Sequence, residues 1–316
     1  MFDPLYNALI IFCGALALVL CMNAKVICSR LNLMDVPDAR KQHRTETPLM
    51  GGVVILLAFI PVALAHVLWA SSERWLSTLM IWLGCVTAMV FVGIADDRHS
   101  LSPRARLGIS FLVFASAAVI DPTFNVRILD FEYPRWDLGL GTWWLALIFT
   151  AVCVVGLINA VNMADGKNGL VLGLCLAWLG LLAIRAPEPL LSAMLLLAVV
   201  LAVLLLFNLQ GRLFLGDGGA YGLATATGLL AIMVYNTSGM HALRAISADE
   251  LVLLFAIPVF DSFRLTYVRI KQGKSPMSAD RDHLHHHLQD RFGWPGGLAV
   301  YFIIALLPAS VLIAMF

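Results

Sequence analysis

The chain has few charged residues, and its formal net charge is only +1. Charged side chains make up 13% of its 316 residues and hydrophobic ones 60%, with a mean hydropathy of +0.87. Soluble domains carry about 25% charged residues, so this composition excludes an ordinary soluble fold. The near-neutral charge provides no basic surface for nucleic acid, which is therefore not an expected partner.

The common cysteine and histidine patterns for disulfides and zinc are also missing. The six cysteines form no CxxC pair, and HExxH does not occur. All six lie in apolar stretches, so they are expected to be small core residues. The first apolar stretch has no basic leader and is too long for a signal peptide, so we predict that it remains as a helix.

Long apolar runs fill most of the chain. A transmembrane helix needs about 20 mostly apolar residues, and about ten such spans are predicted. Because lipid offers backbone groups no hydrogen-bond partners, the expected fold is an all-α, polytopic bundle, a single integral membrane domain over 1–316. The predicted spans cover approximately 5–28, 51–70, 75–95, 104–120, 142–159, 169–184, 189–207, 219–236, 250–268 and 297–316.

Most Lys and Arg residues fall in alternate loops between these spans. Because such residues are retained in the cytoplasm, both termini are predicted to lie outside it. Five hydrophilic patches then share the cytoplasmic face, where they predict a metal-assisted enzyme site for a phosphorylated substrate. The patches are 40–44 (RKQHR), 96–97 (DD), 159–170 (NAVNMADGKNGL), 214–218 (FLGDG) and 280–287 (DRDHLHHH).

Three of these patches place acids and amides where a membrane helix does not favour them. Asp96 and Asp97 end an apolar helix, where the macrodipole disfavours anions, so they need a cation, a proton or an arginine. The 159–170 run holds more polar groups than a plain turn requires, with glycines that allow an irregular backbone around a cavity. Glycines beside Asp217 permit close approach to a phosphate or metal.

The histidine run leaves two interpretations open. On a helix, His283 shares a face with His286 and His287, and imidazole is a common zinc ligand. Alternatively, the imidazoles bind phosphoryl oxygens together with Arg281, which would repel a zinc ion. The surplus of carboxylate and amide oxygens elsewhere favours Mg²⁺ with phosphates over catalytic zinc.

The order of the motifs resembles a known family. DD, NxxNxxDGxxG, FLGDGG and SPxSxDRxHxHHH follow one another as in the polyprenyl-phosphate N-acetylhexosamine-1-phosphate transferases, glycosyltransferase family 4. RKQH followed by PLMGG at 40–52, and HLHH at 283–286, are similar to the bacterial branch that makes undecaprenyl-diphosphate-GlcNAc. The muramoyl-pentapeptide branch is the alternative. The resemblance covers essentially the whole chain.

The resemblance implies a reaction, a metal and a location. Such enzymes move a sugar-1-phosphate from a UDP-sugar to a lipid phosphate and release UMP, with Mg²⁺ required and Mn²⁺ as a substitute. Here it implies UDP-N-acetylhexosamine and undecaprenyl phosphate as substrates, for O-antigen or other cell-surface polysaccharide. The site would face the cytoplasm from a bacterial inner membrane, with both termini periplasmic. A homodimer is left open.

The resemblance also implies roles for individual residues. Asp217 would be a metal ligand, with Asp165 or Asn168 beside it. Asp96 or Asp97 would accept the proton of the lipid phosphate or hold that phosphate in position. The other implied substrate contacts, for the uracil, the diphosphate and the approach of anions, are Phe214, Arg281, His283, His285, His286, Arg40, Lys41, His43, Arg44, Asn159 and Asn162.

Two departures and two rival functions accompany this resemblance. Asn168 stands where the bacterial enzymes usually have an acid, and only the pair of the fuller DDxxxD motif is present at 96–97. An ion-coupled transporter is disfavoured because the polar residues gather at one face and no inverted repeat is visible. A lipid phosphatase or CDP-alcohol transferase is the other rival, but the DGxxAR pattern of the latter is not matched at 165–170.

Overall fold

The computed structural model describes residues 4–37, 45–58, 61, 72–132, 135–237, 246–276 and 282–314. Helices dominate this part of the chain, which confirms the predicted all-α class. Two short antiparallel strand pairs accompany them: β1 (Met34–Asp35) with β2 (Thr47–Pro48), and β3 (Ile128–Glu132) with β4 (Arg135–Gly139). The helices are α1 (Pro4–Met22), α2 (Ala24–Arg30), α3 (51–58), α4 (Glu73–His99), α5 (Pro103–Ile120), α6 (Trp143–Ala164), α7 (Leu170–Ala183), α8 (Leu190–Leu209), α9 (Gly216–Thr237), α10 (Ala248–Lys271) and α11 (Leu284–Ala314).

Eight helices of the described residues are long and apolar enough to cross a membrane, so the protein is a multi-pass membrane protein. They are α1, α4, α5, α6, α8, α9, α10 and α11. Two of the ten predicted spans are not among these eight. The span predicted at 169–184 corresponds to α7, which has only 14 residues. Most of these residues are buried, and a helix enclosed by protein need not match the bilayer thickness. The span predicted at 51–70 lies partly outside the described residues.

The centre of the bundle is α9, which packs closely against α4. A Cβ on Gly93 of α4 would lie 2.3 Å from the carbonyl oxygen of Asp217, so only glycine allows this approach. Further along, the Trp82 indole N–H donates to the Ala226 carbonyl over 3.2 Å. The two helices therefore run in opposite directions, and the end of α4 meets the start of α9.

Backbone hydrogen bonds join the chain segments at this end of the bundle. The Phe214 N–H donates to Pro48 over 2.9 Å, and Met50 donates to the Phe214 carbonyl over 3.1 Å. The β3–β4 hairpin lies at the other end of α9, where the Tyr235 hydroxyl donates to the Ile128 carbonyl over 2.8 Å. All six cysteines are free thiols, and five of them are buried as predicted, whereas Cys153 is exposed and is not the core residue that was predicted.

Candidate active site

Four of the five predicted patches contribute to one cavity of about 740 Å³ at the start of α9. The first patch, with Arg40, Lys41, His43 and Arg44, lies outside the described residues, as does Arg281. Residues flanking the first patch nevertheless reach the cavity. The lining residues are Asp35, Leu49, Asp96, Asp97, Ser100, Asp165, Gly166, Lys167, Asn168, Asn208, Phe214, Leu215, Gly216, Asp217, His286, Gln289 and Trp294.

The Asp97 side chain caps the start of α9. Its Oδ1 accepts the Asp217 N–H over 2.9 Å, and its Oδ2 accepts the Gly218 N–H over 3.0 Å. These N–H groups would otherwise lack intrahelical partners, and the positive end of the helix dipole stabilises the carboxylate. Gly216 has φ +72°, and a Cβ there would lie 3.0 Å from Asp97 Oδ2. Asp97 thus fixes the backbone of Asp217.

Asp96 is buried in a network with α5 and α9. Its Oδ2 accepts hydrogen bonds from Arg106 Nη1 over 2.7 Å and from the Tyr221 hydroxyl over 2.8 Å. Its Oδ1 accepts the Leu101 N–H over 2.7 Å, and Arg106 also donates to the Tyr221 oxygen over 3.0 Å. Tyr221 follows Asp217 by one turn of α9, so this network places the Asp96 carboxylate beside the turn that carries Asp217.

The turn after α6 is tied to the turn after α8. The buried Asn208 accepts the Gly169 N–H over 2.6 Å and donates to the Leu213 carbonyl over 3.1 Å. The Trp294 indole N–H donates to the Asn168 carbonyl over 3.0 Å, which joins α11 to the same turn. Asp165 is thereby held in the cavity wall.

Asp165 has an unusual acidity. Burial raises the pKa of its carboxyl to about 7, and the negative charge of Asp97 adds to this effect. A bound cation would act in the opposite direction, because it stabilises the carboxylate. The negative charges of Asp96, Asp97 and Asp165 also act on Asp217. These acids together make the cavity strongly negative, which favours the binding of a cation.

The four histidines occupy different positions. His286 lines the cavity. His283 is buried, with Nδ1 3.0 Å from Asp261 Oδ2, and His287 is exposed, with Nε2 2.7 Å from Asp282 Oδ1. His285 is buried behind the cavity wall. Its Nε2 has no hydrogen-bond partner among the described residues and lies 2.8 Å from where a Cβ on Gly166 would be.

The oxygen-rich donor set fits a hard divalent cation. Within the described residues, no group of three or more His, Cys, Asp or Glu side chains is arranged to hold a metal ion. Mg²⁺ does not require such a cage, because it keeps several waters and binds one or two carboxylates together with substrate phosphates. The carboxylates and amides of this cavity therefore fit Mg²⁺ better than zinc.

The structure brings some predicted residues into the cavity and leaves others outside it. Asp96, Asp97, Asp165, Asn168, Phe214, Asp217 and His286 line it. His283 and His285 are buried and do not line it. Asn159 and Asn162 lie on α6 away from the lining, and the Asn159 amide donates to the Val155 carbonyl over 2.8 Å.

Several residues of the site were not predicted from the sequence. Asp35, Gln289 and Trp294 line the cavity without belonging to a recognisable motif. Asn208 could have been recognised, because it is a single amide at the end of a strongly apolar helix. An amide is costly there unless it has hydrogen-bond partners. Asp261 could have been recognised in the same way, as an acid within a predicted span.

Comparison with known proteins agrees with the family resemblance that the motifs indicate. The sequence profile described as “Glycosyl transferase family 4” matches residues 79–235. The “Undecaprenyl-phosphate alpha-N-acetylglucosaminyl 1-phosphate transferase” of Yersinia pestis is 28% identical over 298 residues, covering 92% of this chain and 77% of the relative. The protein of the same name from Salmonella typhi is 29% identical over 299 residues, with the same coverage.

A relative from another organism gives a similar match. The “Probable undecaprenyl-phosphate N-acetylglucosaminyl 1-phosphate transferase” of Bacillus subtilis is 27% identical over 277 residues, covering 84% of this chain and 72% of the relative. The region matched by the family profile runs from α4 to α9 and contains Asp96, Asp97, Asp165 and Asp217. The chain belongs to glycosyl transferase family 4, the polyprenyl-phosphate N-acetylhexosamine-1-phosphate transferase superfamily.

Proposed function

We propose that the protein transfers an N-acetylhexosamine-1-phosphate from a UDP-sugar to undecaprenyl phosphate, releasing UMP and leaving a lipid diphosphate sugar. GlcNAc is the sugar in the names of the similar proteins, and it is the first candidate here. The product would initiate a cell-surface polysaccharide, such as the O-antigen of lipopolysaccharide. The observation that carries the proposal is the single cavity that combines five aspartates with Lys167 and His286.

Mg²⁺ is the proposed cofactor, with Mn²⁺ as a substitute. Asp217 would hold the ion, with Asp165 or Asn168 beside it and with water and phosphate oxygens completing the coordination. When bound, it would neutralise the repulsion between the two substrates' phosphates and the charge that develops on UMP. The dense negative charge of these side chains supports this assignment, because it would repel an anionic substrate unless a cation is bound.

Asp97 is better placed than Asp96 to contact the acceptor phosphate. Asp97 uses one lone pair on each oxygen for the N–H groups of α9, so a second lone pair on each remains to accept the proton of the lipid phosphate. Asp96 uses three of its four lone pairs, both on Oδ2 for Arg106 and Tyr221 and one on Oδ1 for the Leu101 N–H. We therefore assign the acceptor to Asp97 and a positioning role to Asp96.

The donor would contact other residues of the cavity lining. Lys167 and His286 line the cavity and supply N–H donors for a diphosphate, and Arg281 immediately precedes the described segment that carries His286. Phe214 and Trp294 also line it, and an aromatic ring is a stacking surface for uracil or for the apolar face of a sugar. Arg40, Lys41 and Arg44 would attract both anions before they bind.

A second cavity suits the lipid part of the acceptor. It has a volume of about 360 Å³ and an almost wholly apolar lining, mostly from α6, α9, α10 and β3. It extends from Phe263, two residues beyond Asp261, to Tyr235 near the far end of α9. Burial of a prenyl chain there would gain about 0.8 kcal/mol for each CH₂ group removed from water, and less from lipid.

The membrane orientation is part of the proposal. The bias of Lys and Arg supports a cytoplasmic cavity and periplasmic termini in a bacterial inner membrane. A reporter fused after Phe316 should be active on the periplasmic side, and one inserted at Gly273 on the cytoplasmic side. The reverse pattern would separate the cavity from cytosolic nucleotide sugars and contradict the proposed reaction.

The reaction is tested by UMP release from purified protein with undecaprenyl phosphate. We expect release with a UDP-N-acetylhexosamine, dependent on both the lipid and Mg²⁺ and abolished by EDTA. A panel of UDP-GlcNAc, UDP-GalNAc and UDP-MurNAc-pentapeptide identifies the sugar. Release with the pentapeptide donor alone would indicate the muramoyl branch, and no release with any donor would overturn the proposal.

A further inference from the structure

Asp261 is an acid in the apolar helix α10, about three turns before that helix ends. Its side chain is only 9% exposed, and it is not among the residues that line the cavity. A nearly buried charge is costly unless other groups pair with it, and removal of one partner is strongly destabilising. The contacts of Asp261 therefore indicate what it is retained for.

Every hydrogen bond described for the Asp261 carboxylate holds either the start of α11 or its own helix. Oδ2 lies 3.0 Å from His283 Nδ1, and the Leu284 N–H donates to both carboxylate oxygens over 3.2 Å. Arg264, one turn along α10, donates to Oδ1 from Nε and Nη2 over 3.2 and 3.0 Å. Asp261 thus caps α11 from a neighbouring helix, at the residue where α11 begins.

The segment that Asp261 holds leads directly to the cavity. His286 lies two residues after Leu284 and lines the cavity, and the same helix then contributes Gln289 and Trp294. The histidine rings are in contact: His283 stacks on His285 with centroids 5.3 Å apart, and His285 lies 4.3 Å from His286. A displacement of His283 would therefore be transmitted to His286.

The contacts of Asp261 form an inner clamp on the start of α11, and a second set of contacts, the outer clamp, joins Arg264, Asp282 and His287. Arg264 Nη1 lies 3.3 Å from Asp282 Oδ2, its Nη2 donates to the Asp282 carbonyl, and Asp282 Oδ1 lies 2.7 Å from His287 Nε2. The Asp282 and His287 side chains are 46% and 57% exposed. Exposed ion pairs contribute little, so the nearly buried Asp261 contacts are the stronger of the two clamps.

We propose that Asp261 is a positioning residue that fixes the donor-binding wall of the cavity, acting through His283 and Leu284 on His286. The inference rests on the proposed function and deepens it. It also reassigns His283 from substrate contact to support of His286. Asp261 itself touches no substrate in this assignment.

The first test measures structure without activity, by hydrogen exchange over residues 284–290. Asp261→Asn keeps the shape of the side chain but removes its charge and half of its acceptor capacity. We expect amide exchange in this segment to become at least about tenfold faster. The matched control is Asp282→Asn, the same substitution in the outer clamp, which should change exchange by less than about twofold. Equal exchange in wild type and Asp261→Asn would overturn the proposal, whatever reaction the protein catalyses.

The second test separates positioning from general damage by kinetics. Asp261→Asn should raise KM for the UDP-sugar about tenfold and change kcat by less than about threefold. In a His286→Ala background it should add less than about twofold, because both changes act on one contact. Full additivity would overturn the proposal. If Asp261→Asn does not fold, His283→Gln replaces it and should give the same effect on KM. Absence of UMP release from the wild type would refute the reaction and leave the exchange test decisive.

Discussion

Two helices begin at the cavity, and an aspartate from another helix caps each of them. Asp97 of α4 accepts the first N–H groups of α9, and Asp261 of α10 accepts the Leu284 N–H of α11. Their surroundings differ. The first turns of α9 are buried from Gly218 onward, whereas His287 and Asp290 near the start of α11 are exposed. The Asp97 cap lies in a contact of glycine backbones, whereas the Asp261 cap relies on Arg264, whose side chain is 43% exposed.

The difference indicates two kinds of wall. Close-packed backbones cannot shift without strain, so the α9 wall holds its carboxylates in fixed places. Hydrogen bonds and ion pairs at a half-exposed helix start can open and close at low cost, so the α11 wall can adjust as a donor enters. We therefore expect turnover to depend on the α9 wall and donor affinity on the α11 wall.

The largest effect is expected for Asp217→Asn. It removes one negative oxygen ligand of the proposed metal at the fixed wall, and kcat should fall by at least about a hundredfold. The matched control is Asp249→Asn, which alters another acid in the first turn of a helix, at the opposite end of the bundle. UMP release should be unchanged in the control. An Asp217→Asn enzyme with normal kcat and normal Mg²⁺ dependence would contradict the expectation that turnover depends on the α9 wall.

A methyl group at Gly93 should be nearly as harmful. In Gly93→Ala the new Cβ would meet the Asp217 carbonyl at 2.3 Å, so α4 and α9 must separate. We expect a loss of about 1–3 kcal/mol in the free energy of unfolding, together with most of the activity. Gly84→Ala is the control on the same helix, because nothing lies within 4 Å of its Cβ. Thermal unfolding in detergent measures both, and equal stability would contradict the close contact.

The acidity of Asp165 gives a prediction about pH. Because the folded protein raises its pKa from 3.8 to about 7, folding takes up a proton between these values. Metal-free stability should therefore fall as pH rises from about 4 to 7. A metal competes with that proton, so apparent Mg²⁺ affinity should rise several-fold from about pH 6 to pH 8. Asp165→Asn should remove this dependence in a thermal-shift titration; an unchanged pH profile in the variant would exclude Asp165.

The smallest effect is expected for Tyr221→Phe. The change removes one of three hydrogen bonds to the Asp96 carboxylate, so kcat should fall about three- to tenfold, with KM for the donor unchanged. Tyr235→Phe, on the same helix but at the hairpin end, should cost similar stability without a loss of turnover. An increase in donor KM for Tyr221→Phe would show that the fixed wall also sets donor affinity.

Much of the fold and part of the site could be predicted from the sequence. Apolar length specified the helices, and the alternation of basic loops placed the patches at one end of the bundle. Asp97 and Asp217 were recognisable because acids at the end of an apolar helix and beside a glycine-rich turn are costly without a function. The prediction at 169–184 agrees with the bounds of α7, but the helix is too short to count as a membrane span, and apolar composition does not distinguish a buried helix from one that faces lipid.

The pairing of side chains was beyond the sequence. His283 and His286 are equivalent within the histidine run, and only the packing of α10 against α11 places one beside Asp261 and the other in the cavity. Asp96 and Asp97 are neighbours, yet the helical rotation between them sends one to Tyr221 and the other to the start of α9. Such assignments depend on contacts between segments far apart in the chain.

The burial of α9 also has a consequence for biogenesis. The most apolar stretch of 18 residues in α9 has a mean hydropathy of 1.3, compared with 3.1 in α8. The value for α9 is low because glycine and threonine occupy positions that touch protein instead of lipid. A segment of this kind gains little by entering lipid alone, so it should insert only beside helices already in place. The N-terminal neighbours α4 and α6 emerge from the ribosome first. A chain that lacks α4 should therefore leave α9 outside the bilayer, as a glycosylation or protease-protection reporter placed after Thr237 would reveal.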